Sequence, residues 1–520
     1  MKKLMAMMLV LTVVAVLFTG CTGSQETGST EAGTEKTTTA ANDKTTEGAE
    51  STENTEAQAD TTFAEHADLK MLFVNPMPLS DDAITRLSKA ISAITEAKFN
   101  CSVELVSVTF QDYMNKMNMM LATGDQIDIF QPLNNLQTFA SQGYLLDMSK
   151  YSSLYQDAAA LLGDYLKVGQ INGAQYCIPT TAQGTTGGDS LAFRKDVVDE
   201  LDLQPMLDEA KLLADLEPVF QKIKDNTEYI PLIGTTSDNV VRSQGDAING
   251  KFYIGLNSFT YIDPDEMDTV KAVAYRDTYR EMAELAYKWA QAGLVSYDEV
   301  GNSEDLFKAG RSAAYYYGYS PVVHYEVDNA TGMETVIWKA DLDQPWAAGN
   351  SAWGYCVTEY CEAPEQAIAV INDLFTNADF ANILEWGEEG VDYVVADKDK
   401  GLVTFPEGMH PGNVGFYNYV KDCVANQFIC YESVTQEGYH KLQQDFQKND
   451  VRISPYIGFV FDSSNVENEI TACTNVNEKY VSGLMNGLLN PDEYYDQYVK
   501  DLEANGLQNI IDETQKQLDA

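Results

Sequence analysis

The chain has 520 residues and carries 79 Asp and Glu against 34 Lys and Arg, a formal net charge of −45. Such an acid excess repels polyanions, and nucleic acid is excluded as a partner because phosphate binding needs clustered cations. Apolar residues make up 44% of the chain and include 30 tyrosines, enough for two or more folding units with cores of their own.

At the amino end, Met1-Lys2-Lys3 places positive charge before an apolar run at residues 4–18, shorter than the roughly 20 residues of a membrane span. Residues 1–20 are therefore read as a signal peptide. Phe18-Thr19-Gly20-Cys21 resembles the bacterial lipobox, with Phe18 in the slot where that motif favours Leu. The resemblance implies that Cys21 is acylated, palmitate included, and becomes the first residue of a lipoprotein anchored on the extracellular face of the cell membrane, as in Gram-positive bacteria. Several acyl chains on one residue make such an anchor durable. Residues 21–65 follow as a Thr/Glu-rich tether with too little apolar surface to offset its chain entropy.

The body opens with an apolar run at 69–75 that reads as a buried strand. Ser80-Asp81-Asp82 caps a helix to about residue 98, with Ile84, Leu87, Ile91 and Ile94 at helical spacing. A strand at 103–108, a Met-rich helix at 111–122 and a strand at 126–131 complete a β-α-β-α-β order, which predicts an α/β fold with a parallel sheet. The methionines are read as the cover of that sheet. Ligands collect beyond the carboxyl ends of such strands, which directs attention to Asn75, Thr109 and Gln131. The stretch PTTAQGTTGGD at 179–189, with Thr181, reads as a first crossing between two lobes, so that residues 66–188 form the first part of lobe 1. Residues 189–350 are assigned to lobe 2, with a strand at 191–193, a helix starting near 195, a strand at 229–233, a helix over 268–292 and a strand at 312–317. Residues 351–430 return to lobe 1 through a strand at 352–358 and a helix at 364–375. Residues 431–520 are a helical region completing lobe 2, with Asn490 as N-cap, Pro491 in the first turn and Gly506 as a stop.

Five phrases in this order are similar to the extracellular solute-binding lipoproteins of ABC importers, in the sugar-binding group related to maltose-binding proteins. They are MLATGDQIDIF at 120–130, INGAQYCIP at 171–179, FRKDVV at 193–198, LFKAGRSAAYYYG at 306–318 and ILEWGEEGVDYVV at 383–395. The carboxyl end, from residue 458 to 520, resembles an uncharacterised terminal domain of one lipoprotein branch of that group. The resemblance implies a two-lobed, type II periplasmic-binding-protein-like fold with the ligand between the lobes, a membrane permease of the ABC type as partner, a monomeric body, and neither catalysis nor a cofactor or metal.

A sugar offers flat C–H faces and a rim of hydroxyls, so its site needs aromatic platforms beside polar side chains. Trp346, Trp353 and Trp386 lie in short connections and are candidate platforms, each with a core-packing alternative. Trp289, at helical period, reads as core. Along 315–319, alternation lets Tyr315 with Tyr317, or Tyr316 with Tyr319, share one wall, and Tyr317 and Tyr319 are taken as candidates. Tyr176 in INGAQYCIP joins the set, and Asp125 is placed in it by the resemblance. Asp128 reads as structural, and Glu388 and Glu389 as solvated.

Cys101, Cys177, Cys356, Cys361, Cys423, Cys430 and Cys473 have neither the spacing of a disulfide framework nor CxxC pairs, and read as buried free thiols. The acidic run at 263–268 lacks the glycine and closing glutamate of a calcium loop and reads as a turn. A surface glycan hydrolase is one alternative function, but HExxH, P-loop, GxGxxG and GxSxG motifs are all missing. A peptide-binding or adhesion lipoprotein is the other, and the short supply of Arg to anchor peptide termini disfavours it.

Overall fold

The computed structural model describes residues 63–519 apart from 76–77, 134, 185–187, 236–247, 300–301, 348, 350 and 419. The expected signal peptide, Cys21 and the expected tether up to residue 62 lie outside the described residues.

Strand β1 (Ala67–Asn75) ends in five consecutive buried residues, as a strand covered on both faces must. The Ser80 hydroxyl accepts the Ala83 N–H at 3.2 Å to start α1 (Asp81–Phe99), whose buried residues Ala83, Leu87, Ile91 and Thr95 recur every four. β2 (Cys101–Thr109) then pairs in parallel with β1 along its whole length. α2 (Phe110–Thr123) buries Met117 and Met120 but leaves Met119 49% exposed, so only part of the methionine group covers the sheet. β3 (Ile129–Phe130) is parallel to β1 and shorter than the strand expected at 126–131.

The second lobe begins with β4 (Asp189–Arg194), followed by α3 (Glu217–Asn226) and β5 (Ile230–Thr235). A small antiparallel sheet comes next, from β6 (Ile254–Gly255), β7 (Thr260–Ile262) and β8 (Val270–Ala272). A helix was expected from residue 268. Instead Val270 and Ala272 turn inward at period two and pair with β7, while Arg276 is extended at φ −71°, ψ 123°, so α4 (Asp277–Gln291) starts nine residues later. The acidic run beside this sheet is closed by a lysine: Lys251 Nζ donates to Asp263 at 2.5 Å and to Asp265 at 2.6 Å. β9 (Val295–Glu299), β10 (Ser312–Gly318), α5 (Val323–Thr331) and β11 (Thr335–Lys339) complete a five-stranded sheet in the order β9-β5-β10-β4-β11. β9, β5 and β10 are mutually parallel, and β4 runs antiparallel to β10 and β11.

β12 (Trp346–Ala347) precedes the return to the first sheet, where β13 (Cys356–Val357) pairs antiparallel with β3 and gives the order β13-β3-β1-β2. The strand expected over 352–358 shrinks to two residues because its flanks bond elsewhere: the Tyr355 N–H donates to Ile178 O, and the Thr358 N–H to Asp128 O. Gly354 makes this approach possible, since a Cβ there would lie 2.2 Å from Cys177 Sγ. α6 (Pro364–Asp373), α7 (Ala378–Glu385) and α8 (Tyr439–Asn449) follow, and β14 (Arg452–Ile453) pairs in parallel with β12. The chain ends in α9 (Glu467–Met485), α10 (Pro491–Ala504) and α11 (Leu507–Leu518). The Asn490 side chain caps α10 from the Asp492 N–H at 3.1 Å, and Gly506, at φ 95°, separates α10 from α11.

Two cores result. One gathers Met71, Phe130, Tyr355, Ile368 and Val424, and the other Phe193, Phe220, Trp289, Tyr480 and Ile510. The carboxyl-terminal helices are thus part of the second core. The seven cysteines among the described residues are free and buried, and burial raises the Cys101 and Cys473 thiols to about 11. No described helix is long and apolar enough to cross a membrane.

Trp289 anchors the second core. It is fully buried, meets Phe220 edge-on at 5.2 Å and donates Nε1–H to Glu217 at 3.1 Å. Trp289→Ala is expected to cost about 3–5 kcal/mol in urea unfolding. A loss under about 1 kcal/mol would show that the site collapses around the missing ring.

Candidate functional site

The carboxyl edge of the first sheet is organised by Gln131, which is fully buried just past β3. Its main-chain N–H donates to the Tyr113 hydroxyl at 3.0 Å, and its carboxamide Nε2 donates to Trp353 O and Cys423 O, both at 2.8 Å. Gln131 Oε1 is buried without a partner among the described residues. One side chain therefore gathers segments 222 and 292 residues away. Asn75 is buried at the end of β1. Trp353, held by this bond, is half-buried and meets the ring of Phe110 at 5.4 Å, nearly perpendicular. Phe110 is the first residue of α2 and 39% exposed, so this aromatic pair stands at the end of the sheet with part of its surface open.

Asp422 follows from the same anchor. Its carbonyl accepts the Thr180 hydroxyl at 3.0 Å, tying it to the first crossing. Burial pushes its carboxyl up to about 6, and the Glu326 carboxylate adds to the shift. Glu326 belongs to α5 of the second lobe. Ser320 donates to one of its oxygens at 3.2 Å, and the Tyr439 hydroxyl donates to the other at 3.0 Å. Tyr317, in β10, has its phenol raised by burial first and then by Glu326, Glu304 and Asp422. Two tyrosines and two carboxylates from both lobes thus meet at one seam. Behind them lies a buried layer. The Lys421 ammonium is 4.2 Å from the Tyr439 ring centre and 3.9 Å from Glu385, whose carboxyl burial drives up to about 7. His440 is pushed down to about 3 by burial, then by Lys421, and so stays neutral.

The other candidates divide by position. Tyr319 shares the packing face of Tyr315 and Tyr317, while Tyr316 packs on the second core, so the expected pairing of Tyr316 with Tyr319 is replaced. Tyr319 also lies edge-on to Phe446 of α8 at 6.2 Å, with Lys339 Nζ 4.7 Å from its ring centre. Trp346 sits on the β12–β14 pair with the Arg452 guanidinium at 4.1 Å, and its Nε1 is buried without a partner among the described residues. Thr181 donates its N–H to Ala425 O at 2.8 Å and borders a hollow of about 480 Å³ with Tyr165 and Phe428. Tyr176 is half-buried against the first core.

Two expectations need correction. Trp386 is 1% exposed in a satellite cluster with Tyr393 and Val403, and its Nε1–H is spent on Tyr431 O at 2.9 Å, which leaves no face for a ligand. Asp125 is exposed before β3, at the amino edge of the sheet, where its N–H closes α2 on Met120 O. Asp128 is structural as expected, accepting the Lys70 N–H at 2.8 Å. Glu388 is not merely solvated, since it joins Asp392 around Arg86 at 3.1 Å. Phe110, Glu326, Asp422 and Tyr439 escaped the sequence reading. Phe110 alone had a signal, as the aromatic residue directly after the strand end at Thr109.

Residues 89–390 match the family described as bacterial extracellular solute-binding proteins, and residues 455–520 match a domain of unknown function (DUF3502). The chain is 23% identical over 474 residues to a carbohydrate ABC transporter substrate-binding protein of Streptococcus pneumoniae, covering 87% of this chain and 90% of that one. Among solved structures, the N-glycan transport solute binding protein of S. pneumoniae superposes with a TM-score of 0.74 at 18% identity, covering 87% and 98% of the two chains. An HMO-binding, ABC-transporter-associated solute binding protein of Bifidobacterium longum infantis gives 0.59 at 18% identity, covering 87% and 99%. These likenesses establish the two-lobed α/β fold.

The raised Asp422 carboxyl carries a sign. An acid that is easier to protonate when folded contributes stability at low pH and loses it as pH climbs from 3.8 to about 6. Relative to the unsubstituted protein, Asp422→Asn is therefore expected to gain stability across that window and to level off above it, read by urea unfolding at stepped pH. A difference that stays flat with pH would mean that Asp422 is open to water.

Proposed function

The chain belongs to the bacterial extracellular solute-binding protein family, and from that membership we propose that it captures a carbohydrate between its lobes and delivers it unchanged to an ABC permease. The observation that carries this reading is the seam itself. The Trp353–Phe110 pair offers flat apolar surface, and Glu326, Asp422, Tyr317 and Tyr439 offer acceptors and donors for a rim of hydroxyls. The carbohydrate binders among the similar proteins support it. Because the polar groups come from both lobes, a ligand touching them all favours the closed arrangement over the open one.

In this reading Cys21 carries the acyl anchor, and the tether up to residue 62 lets a monomeric body range outside the membrane near its permease. The charge of −45 keeps that body soluble and apart from an anionic surface.

Mono- and oligosaccharides screened by thermal shift on residues 63–519 are expected to raise the melting temperature and to be recovered intact. At about 100-fold excess over Kd the gain is about 2.7 kcal/mol. Release of a cleaved product would instead make the protein a glycan hydrolase. With the saccharide so identified, X-ray scattering should show a smaller radius of gyration at saturation, and an unchanged radius would refute capture by closure. Trp353→Ala is expected to weaken binding about tenfold or more. Equal affinity would remove Trp353 from the site.

A further inference from the structure

A second hollow, of about 630 Å³, lies in the other lobe between the small β6–β7–β8 sheet, the amino end of α4 and the final helix α11. None of these elements supplies a residue to the seam. The volume is that of an ordinary small-molecule site.

Its inner wall is unusual in a chain where acids outnumber bases 79 to 34. Arg86, Arg194 and Arg280 each hold a carboxylate, and Arg452 spends two of its N–H groups on the Gln344 carbonyl. Arg276 has no ion pair among the described residues. Its guanidinium lies 4.3 Å from the ring centre of Tyr253, and among the described residues its buried Nε has no partner and its only side-chain contact of hydrogen-bonding type is a long one to the Met282 sulfur at 4.0 Å. Two residues on, Thr278 lines the hollow at 4% exposure, and its hydroxyl is buried, also without a partner among the described residues. No side chain caps the 15-residue helix α4 at this end, so its first-turn N–H groups and positive dipole end add to the guanidinium. The acids around the hollow do not cancel this. Asp263 is held by Lys251, while Asp277 and Glu281 are exposed at the rim.

An uncommitted guanidinium fork, a buried hydroxyl and a helix amino end together suit a carboxylate. Tyr253 and Tyr261, edge to face at 5.3 Å, supply an aromatic wall for a C–H face, and Gln508 of α11 supplies a polar rim. We propose that this hollow is a second binding site, for a carboxylated saccharide of one or two units. The carboxylate pairs with Arg276 and Thr278, and the sugar ring rests on Tyr253. The final helix, within the segment that matches a domain of unknown function, then serves as one wall of a ligand site.

Isothermal titration of residues 63–519 with D-glucuronate tests this, with D-glucose and inorganic phosphate as controls. Glucuronate is expected to bind, glucose and phosphate at least about tenfold more weakly. Arg276→Lys and Thr278→Val should each weaken glucuronate by about tenfold while leaving saccharide capture at the seam unchanged, and Trp353→Ala should leave glucuronate binding intact. Melting curves show which variants fold, and either of the two is sufficient. The proposal fails if glucuronate gives no heat up to about 20 mM, or if glucose or phosphate matches it. It also fails if a folded Arg276 or Thr278 variant binds normally, or if binding follows Trp353 instead.

Discussion

The carboxamide of Gln131 is the constraint on which the seam depends. It is buried where the first sheet ends, and a buried N–H pair left unbonded is costly, so two carbonyls must be brought to it. The two that arrive, from Trp353 and Cys423, belong to the segments that carry the aromatic platform and the Asp422 carboxylate. Satisfying one desolvated donor therefore also places two side chains of different chemistry at the same edge.

Electrostatics decides how that edge meets the other lobe. Asp422 and Glu326 come from opposite lobes, burial and then the Glu326 carboxylate raise the cost of ionising Asp422, and Ser320 and Tyr439 spend their hydroxyls on Glu326. Under the proposed function, ligand hydroxyls replace such donors and spread the charge, so that an occupied seam closes more easily than an empty one. The layer behind it keeps a cation buried, with Lys421 held between the Glu385 carboxyl and the Tyr439 ring. Arg86 similarly clamps Asp392, at 2.6 Å, and Glu388 outside the seam. In so acidic a chain these few cations are committed to positions where an unpaired carboxylate would be most expensive. Against that pattern the uncommitted Arg276 stands out.

Much of the local structure was legible. Ser80 and Asn490 cap as their positions imply, Trp289 is core, and the β-α-β-α-β order builds a parallel sheet, because caps and periodicity act over a few residues. The helix start at Asp277 was not legible: Val270 and Ala272 are compatible with either period until β7 is there to pair with them. Trp386 was misread for a similar reason. A tryptophan beside a glycine looks like an open loop residue until Tyr393, Tyr417 and Phe405 close around it.

By itself the sequence determined the acidic character, a resemblance to a signal peptide and lipobox, the α/β class and two of the side chains proposed for the seam, Tyr317 and Trp353. Those follow from composition, short motifs and strand alternation, all of which are local. Only the tertiary structure decided which carboxylates face each other and that Trp386 is buried, and it left Arg276 without an ion pair among the described residues. With 79 carboxylates in the chain, no spacing marks Glu326 or Asp422. Their roles come from burial and from neighbours about a hundred residues apart, and both exist only once two separate cores have folded and met.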